Sequence, residues 1–103
     1  MSDKVINEIT CIAEIKALPG KREELLSNLL ELIPLSKKEK GCIRYELHQN
    51  IDDENIFIFV DKFVDKNAFD FHCETDYIKK YFDEIIPHIS EYIKISMNKE
   101  IVY

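Results

Sequence analysis

Apolar and polar residues alternate along three stretches of the chain, at residues 8–17, 42–49 and 90–97. Such alternation is typical of a β-strand with one buried face. A fourth stretch, residues 56–64, is apolar at nearly every position and is interrupted by the carboxylate of Asp61. The pattern therefore predicts four strands, one of which is covered on both faces.

A different spacing of apolar residues, about 3.6 positions, predicts a helix between the Pro19-Gly20 turn and Gly41. We expect Gly41 to cap the C-terminus of this helix. We expect Pro34 to kink or restart it, because proline has no N–H for the carbonyl four residues back. The apolar stripe of this helix consists of Leu25, Leu26, Leu29, Leu30, Leu32 and Ile33.

Two shorter helices are predicted before the last strand. Asp65 is expected to be the N-cap of a helix at residues 66–73. A second helical piece spans residues 76–86, and Pro87 is expected to close it. The order β-α-β-β-α-β predicts one α+β domain over residues 1–103, in which a ferredoxin-like, four-stranded antiparallel sheet carries helices on one face.

The strand at residues 56–64 is apolar on both faces. Asp61 shares one face with Phe57, Phe59 and Phe63, and the opposite face carries Ile56, Ile58, Val60 and Val64. If helices cover one face, another surface must cover the other, and a second copy of the chain is the commonest solution. We therefore expect a symmetric homodimer.

The composition argues against several classes of partner. The formal net charge is -6 and the pI is about 5.0, whereas nucleic-acid binding needs clustered lysine and arginine. No apolar stretch approaches the roughly 20 residues that cross a bilayer, and no signal peptide is recognisable. The three cysteines form no C-x-x-C pair, which indicates reduced thiols. We expect a cytoplasmic protein that binds neither nucleic acid nor membrane.

His72, Asp61 and Tyr45 are the candidate catalytic residues. His72 shares a helix face with Phe69, so its ring should point at the sheet. A buried carboxylate needs a partner, and His72 within reach of Asp61 would be one. Such a pair would have shifted pKa values that suit proton transfer.

Tyr45 shares the apolar face of its predicted strand with Ile43 and Leu47, and its hydroxyl group could orient a polar ligand. The plainer interpretation is that His72 and Tyr45 are core residues with satisfied hydrogen bonds, and that Asp61 at the strand end caps a backbone N–H or pairs with Lys62 or Lys66. Cys73, next to His72 in sequence, remains an alternative nucleophile. The histidines lack metal-binding spacing and no nucleotide-binding motif is present, so we expect neither a metal nor a cofactor.

The segment SKKEKGCIRYELHQNIDDENIFIFVDKF, residues 36–63, resembles the central signature of the antibiotic biosynthesis monooxygenase family. That signature is approximately S-R-x-E-x-G-C-x-x-Y-E-L, then an acidic turn, then F-x-x-x-E-x-W. Residues 17–24 (ALPGKREE) are similar to the family's first turn, and Ala68 and His72 match its helical A-x-x-x-H. The likeness covers nearly the whole chain.

The resemblance implies a dimeric α+β barrel with a pocket between the helices and sheet of each subunit. Family members include cofactor-independent monooxygenases that oxidise quinols or aromatic polyketides with O2, haem-degrading enzymes, and an isomerase of a phosphorylated sugar derivative. By position, His72 matches the helical histidine and Tyr45 the second-strand tyrosine, whereas Asp61 and Phe63 replace the family's Glu and Trp. The absence of tryptophan, together with Ala13 at the first-strand site, argues against haem degradation.

The first hypothesis is a monooxygenase that oxidises a quinol or small aromatic substrate with O2 and needs no cofactor. His72 would be the general base or would orient the substrate, Tyr45 would donate a hydrogen bond, and Asp61 would orient or tune one of them. One alternative is an isomerase of a phosphorylated metabolite, for which Arg44 is the nearest basic residue by sequence. Another is a non-catalytic ligand-binding dimer. The residues expected to bind the substrate are Phe63, Phe59 and Phe69.

Overall fold

The structure is a computed structural model, of which residues 7–103 are described, and residues 1–6 of the predicted domain lie outside the described residues. The strands are β1 (Ile9–Ala17), β2 (Cys42–Gln49), β3 (Ile56–Phe63) and β4 (Ser90–Asn98). The helices are α1 (Arg22–Lys37), α2 (Lys66–Glu74), α3 (Asp76–Lys79) and α4 (Ile86–Ile89), with a π-helix at Lys80–Ile85. Within the described residues, no helix is long and apolar enough to cross a membrane.

The four strands form one antiparallel sheet in the order β2-β3-β1-β4, and the predicted ferredoxin-like arrangement is confirmed. Cross-strand pairing places Asp61 between Tyr45 of β2 and Cys11 of β1. Paired residues point to the same face, so these three side chains lie side by side on the face that the helices cover. The largest fully buried side chains of the core include Leu25, Leu29, Leu32, Phe57, Phe63 and Ile86.

Helix α1 buries Leu25, Leu29 and Leu32, and each such leucine stabilises the fold by about 1.5–3 kcal/mol. Leu30, which the pattern placed on the same stripe, is 49% exposed. The helix does not restart at Pro34 but continues through it. Proline leaves the carbonyl of Leu30 without an N–H donor, and because Leu30 lies on the solvent side, water can supply one.

Gly41 is not the C-cap that the sequence predicted. Helix α1 ends at Lys37 with its C-cap at Lys38, and the positive φ angle belongs to Gly20, at 80°. A Cβ atom on Gly41 would lie 2.4 Å from the Cβ of Ala68 on α2. Glycine is therefore required at position 41 because α2 packs directly on the backbone there.

Strand β2 contains a bulge that its alternating pattern did not predict. The pairing with β3 shifts between Cys42 and Arg44, so Ile43 has no partner in the ladder. Ile43 is 49% exposed as a result. The prediction that Ile43 shares the buried face of Tyr45 is wrong, because a bulge shifts the faces of the residues before it.

The second helical run does not end at Pro87. The N–H of Ile86 donates to the carbonyl of Tyr81, five residues back, at the end of the π-helix Lys80–Ile85. Pro87 then lies in the first turn of α4, a position at which helices tolerate proline. The run continues to Ile89, and the prediction that Pro87 closes it is wrong.

Gly41→Ala should lower the free energy of unfolding by about 1–3 kcal/mol, because the added methyl group overlaps Ala68. Urea denaturation monitored by circular dichroism measures this loss. Ala68→Gly removes the atom that the new methyl group meets, so the double variant should lose less than the sum of the two single losses. Strictly additive losses would contradict close packing of α2 on Gly41.

Candidate functional site

A cavity of about 360 Å³ lies between the helix-covered face of the sheet and the helical run from α2 to the π-helix. We call it the inner cavity. Tyr45, Asp61 and His72 all line it. The structure thus brings together the three candidate catalytic residues, which come from β2, β3 and α2. The apolar part of the lining includes Ala13, Phe69, Ile78, Phe82 and Ile95.

Asp61 is a buried carboxyl group at the floor of the inner cavity. Asp61 is 4% exposed, and its Oδ1 atom has no hydrogen-bond partner among the described residues. Burial, and secondly the charge of Glu39, raise the pKa of Asp61 to about 8. A carboxyl group with this pKa keeps its proton at neutral pH, so Asp61 offers the cavity a hydrogen-bond donor.

His72 lies in the last turn of α2, and the predicted N-cap fixes where that helix starts. The carboxylate of Asp65 accepts a hydrogen bond from the N–H of Ala68 at 2.8 Å, which confirms the cap. The Nδ1 atom of His72 lies 2.8 Å from Oε2 of Glu39. This bond leaves Nε2 as the ring nitrogen that is available to a ligand. Burial lowers the pKa of His72, and Glu39 partly opposes that effect.

The pairing of Asp61 with His72, which the sequence suggested, is not found. The hydrogen bond of His72 goes to Glu39, and Oδ1 of Asp61 stays unpaired within the described chain. The carboxyl group is instead accommodated by holding a proton, because a neutral acid costs much less to bury than a carboxylate.

Glu39 and Tyr77 are site residues that reasoning from the sequence missed. The side chain of Glu39 is 6% exposed, and its Oε2 accepts hydrogen bonds from His72 and from the hydroxyl group of Tyr77. Lysines stand on both sides of Glu39 in sequence, a pattern that is typical of a solvated helix end. A signal was nevertheless present, because Glu39 stands at the Glu of the family signature that residues 36–63 resemble.

Tyr45 is a neutral hydrogen-bond donor beside Asp61. It is 2% exposed, and burial together with the nearby Asp61 carboxyl raises its pKa well above the ordinary value. Its ring meets the ring of His72 edge-on, with 5.4 Å between the centroids. The phenol therefore stays protonated at neutral pH and well above it, and it can donate to a ligand oxygen.

The three phenylalanines expected to bind substrate occupy different places. Phe69 lines the inner cavity. Phe63 packs against His72 and Phe69, with centroid distances of 4.8 and 5.6 Å, and Phe59 packs against Tyr45 at 4.9 Å. Phe59 and Phe63 are fully buried behind the lining and hold its side chains in place. Their contact with a substrate stays a prediction.

Two thiols also line the inner cavity, those of Cys11 and Cys73. Burial raises the pKa of both, to about 12 for Cys11. Because the thiolate is the nucleophilic form, these side chains act as small apolar groups, and the alternative of a catalytic Cys73 loses support. Within residues 7–103, no group of three or more His, Cys, Asp or Glu side chains could hold a metal ion.

Charged side chains at the mouth of the inner cavity bear on the phosphorylated-metabolite alternative. Lys79 lies at the mouth and pairs with Glu74 at 2.8 Å. Arg44, which was considered as a phosphate anchor, lies on the opposite face of the sheet and pairs with Glu46 at 3.3 Å. Of the two cations, only Lys79 is placed to meet a phosphate group in the cavity, and Glu74 competes for it.

Comparison with known proteins places the chain in a family. The sequence model described as "Antibiotic biosynthesis monooxygenase" matches residues 8–84, a span that includes Glu39, Tyr45, Asp61 and His72. "Putative monooxygenase YcnE" of Bacillus subtilis (strain 168) is 38% identical over 67% of this chain and 73% of its own. "Uncharacterized protein sll1783" of Synechocystis is 29% identical over 74% of this chain, which spans 52% of that protein.

Solved structures are similar over most of the chain. Protein SO0527 from Shewanella oneidensis has a TM-score of 0.88 and 39% identity, over 91% of both chains. PA3566 from Pseudomonas aeruginosa has a TM-score of 0.87 and 29% identity, over 93% of this chain and 96% of its own. The chain therefore belongs to the antibiotic biosynthesis monooxygenase family.

Proposed function

We propose that this protein is a monooxygenase that oxidises a quinol or another small phenolic aromatic with O2 in the inner cavity, without a cofactor. The observation that carries the proposal is the set of polar groups in that cavity. A histidine, His72, has one nitrogen bound to Glu39 and the other available, and protonated Asp61 lines the same apolar space. Family membership supports the monooxygenase class, whereas the substrate class and the independence from cofactors are our inference. A cytoplasmic location stays a prediction.

The inner cavity suits a small aromatic molecule with one or two hydroxyl groups. Its volume of about 360 Å³ lies near the lower end of the ~300–1,000 Å³ range of ligand sites. Most of its lining is apolar, and the polar groups of Tyr45, Asp61 and His72 are close neighbours. A ring can bury its faces there while its hydroxyl groups meet these three side chains.

The proposed reaction begins with a proton transfer. Nε2 of His72 accepts the proton of a phenolic hydroxyl group, and Tyr45 and protonated Asp61 donate hydrogen bonds to the resulting oxygen anion. The negative charge spreads onto ring carbons, which then reduce O2. In the balanced reaction, one O–H and one C–H group of a phenol become two carbonyl groups. One atom of O2 enters the product and the other leaves as water, and the substrate supplies all four electrons.

We also propose that the chain forms a dimer through the outer face of the sheet, which is the face that the helices leave uncovered. On that face Ile12 is 38% exposed, and its cross-strand neighbour Val60 is partly exposed. Ile56 and Ile58 extend the same apolar strip along β3. An antiparallel sheet that faces water normally carries polar residues there, so a symmetric dimer explains the strip.

His72→Gln should reduce O2 uptake with a reduced naphthoquinol by roughly 10²–10⁴-fold, because it removes the proton acceptor. Uptake is followed with an oxygen electrode after subtraction of the spontaneous rate. His88→Gln is the matched control, since His88 is exposed on α4 and does not line the inner cavity. Undiminished uptake in His72→Gln would exclude His72 as the base. No uptake above the spontaneous rate with any of several quinols would favour an isomerase or a binding protein.

Asp61→Asn should change how stability depends on pH. The pKa of Asp61 rises from 3.8 to about 8 on folding, so between these values the folded chain holds a proton that the unfolded chain releases. The contribution of Asp61 to the free energy of unfolding should therefore fall as the pH rises from about 4 to 8, by an amount on the order of a few kcal/mol.

Urea denaturation at a series of pH values measures this dependence. Asp61→Asn removes the carboxyl group, so the variant should gain stability relative to the wild type as the pH rises through this window. Asp52→Asn, in the exposed β2–β3 turn, is the control and should run parallel to the wild type. A constant difference between Asp61→Asn and the wild type would contradict the protonated state of Asp61.

Val60→Lys should convert a dimer into a monomer, because it places a charge in the apolar strip of the outer face. Analytical ultracentrifugation at micromolar concentration reports the mass of each variant. Ile51→Lys, at a position 99% exposed in the β2–β3 turn, should leave the dimer intact. A wild-type chain that sediments as a monomer would rule out the proposed dimer.

A further inference from the structure

Hydrogen bonds join His72, Glu39 and Tyr77, and these residues connect two separate spaces on either side of α2. His72 lines the inner cavity, whereas Glu39 and Tyr77 line a separate groove of about 630 Å³, which we call the outer groove. Oε2 of Glu39 accepts a hydrogen bond from Nδ1 of His72 at 2.8 Å and another from the hydroxyl group of Tyr77. The proposed reaction uses His72 but gives no role to the other two residues.

We propose that Glu39 is the positioning residue of the inner cavity: it holds the proton of His72 on Nδ1, so that Nε2 meets the substrate as a bare acceptor. Tyr77 holds the carboxylate of Glu39 in place from the side of the outer groove. The catalytic role of Glu39 rests on the proposed function, whereas the position of the proton on the His72 ring does not depend on it.

The assignment follows from the hydrogen-bonding capacity of the two groups. A carboxylate can only accept, so the nitrogen 2.8 Å from Oε2 of Glu39 must carry a hydrogen. A neutral imidazole ring has one such N–H group, and its other nitrogen is then an acceptor. When Nε2 takes up a proton, the ring becomes a cation beside the carboxylate. Glu39 therefore stabilises the product of the proton transfer as well as the starting tautomer.

The carboxylate of Glu39 is placed by its backbone and by only two side-chain bonds. The N–H of Glu39 donates to the carbonyl of Ser36, and its own carbonyl accepts from the N–H of Cys42, both at 3.1 Å. Oε1 is buried and has no partner within the described residues. The bonds of Oε2 to His72 and Tyr77 are thus what orients the carboxylate, and both are needed to fix it.

Glu39 also dominates the charge environment of His72. It raises the pKa of His72 against the effect of burial, and it adds to the effect of burial on Asp61. The negative charge of Glu39 thereby helps His72 to accept a proton and helps Asp61 to keep its proton. The other titratable groups around His72 are Tyr77 beside Glu39, Cys73, Glu74, Lys79 and Asp83 from the helices, and Cys11, Tyr45 and Asp61 from the sheet.

Nitrogen-15 NMR of histidine-labelled protein tests the state of the ring without any substrate, because protonated and bare ring nitrogens differ in chemical shift. His48 and His88 are internal references.

In the wild type we expect a proton on Nδ1 of His72 and a bare Nε2. Glu39→Gln keeps an acceptor oxygen but removes the charge, so the tautomer should persist while the titration midpoint of His72 moves to lower pH. Glu39→Leu removes the acceptor as well, and the preference for Nδ1 should be lost.

Tyr77→Phe keeps Glu39 but removes one of the bonds that orients it, so the preference of His72 for Nδ1 should weaken. Tyr81→Phe is the matched control, because the hydroxyl group of Tyr81 donates to a different carboxylate, that of Glu31. It should leave the His72 signals unchanged. If Glu39→Leu does not fold, Glu39→Gln and Tyr77→Phe decide the question.

In the quinol oxidation assay, Glu39→Gln should lower kcat by roughly 10–100-fold, by analogy with the loss of a group that orients a metal-bound imidazole. It should also move the acidic limb of the pH–rate profile to lower pH, which a loss of folded protein would not do. A wild-type His72 with its proton on Nε2, or an unchanged titration in Glu39→Gln, would overturn the role of Glu39. Failure of every quinol to react would overturn the proposed function instead, and the NMR result would still decide on Glu39.

Discussion

The close contact of α2 with the backbone at Gly41 is the constraint on which the site depends. Because residue 41 has no Cβ atom, Ala68 can approach the segment between α1 and β2. His72 follows Ala68 by about one helical turn and Glu39 lies two residues before Gly41, so one contact brings the ring and the carboxylate to 2.8 Å. We expect a larger residue at position 41 to push α2 outwards and to lengthen that hydrogen bond.

The buried charge of Glu39 raises the pKa of both the acid Asp61 and the base His72. Burial by itself favours the neutral forms of both Asp61 and His72. The carboxylate of Glu39 strengthens this effect on Asp61 and opposes it on His72, so one group keeps a proton and the other can gain one. Such a pair in an apolar cavity suits a reaction in which the substrate supplies the electrons and the protein moves a proton and excludes water.

The fold could be predicted from the sequence because its signals are local: alternation in the strands, a leucine stripe in α1, and the N-cap at Asp65. The alternation of faces along the strands and the spacing along the helix also predicted that the candidate catalytic residues lie on one side of the sheet. Most of the features that could not be predicted depend on contacts between distant segments, and one depends on a local π-helical hydrogen bond. The bulge at Ile43 follows from pairing with β3, the helix beyond Pro87 from a π-helical turn, and the burial of Glu39 from α2, although lysines surround it in sequence.

The most direct measurement is a crystal structure of the protein with a naphthoquinol bound under anaerobic conditions, since it locates the substrate site without turnover. We expect the ring in the inner cavity, with one hydroxyl oxygen about 2.6–3.2 Å from Nε2 of His72 and within reach of Tyr45 and Asp61. A naphthoquinol bound in the outer groove, or one whose hydroxyl groups point away from His72, would contradict the proposed site.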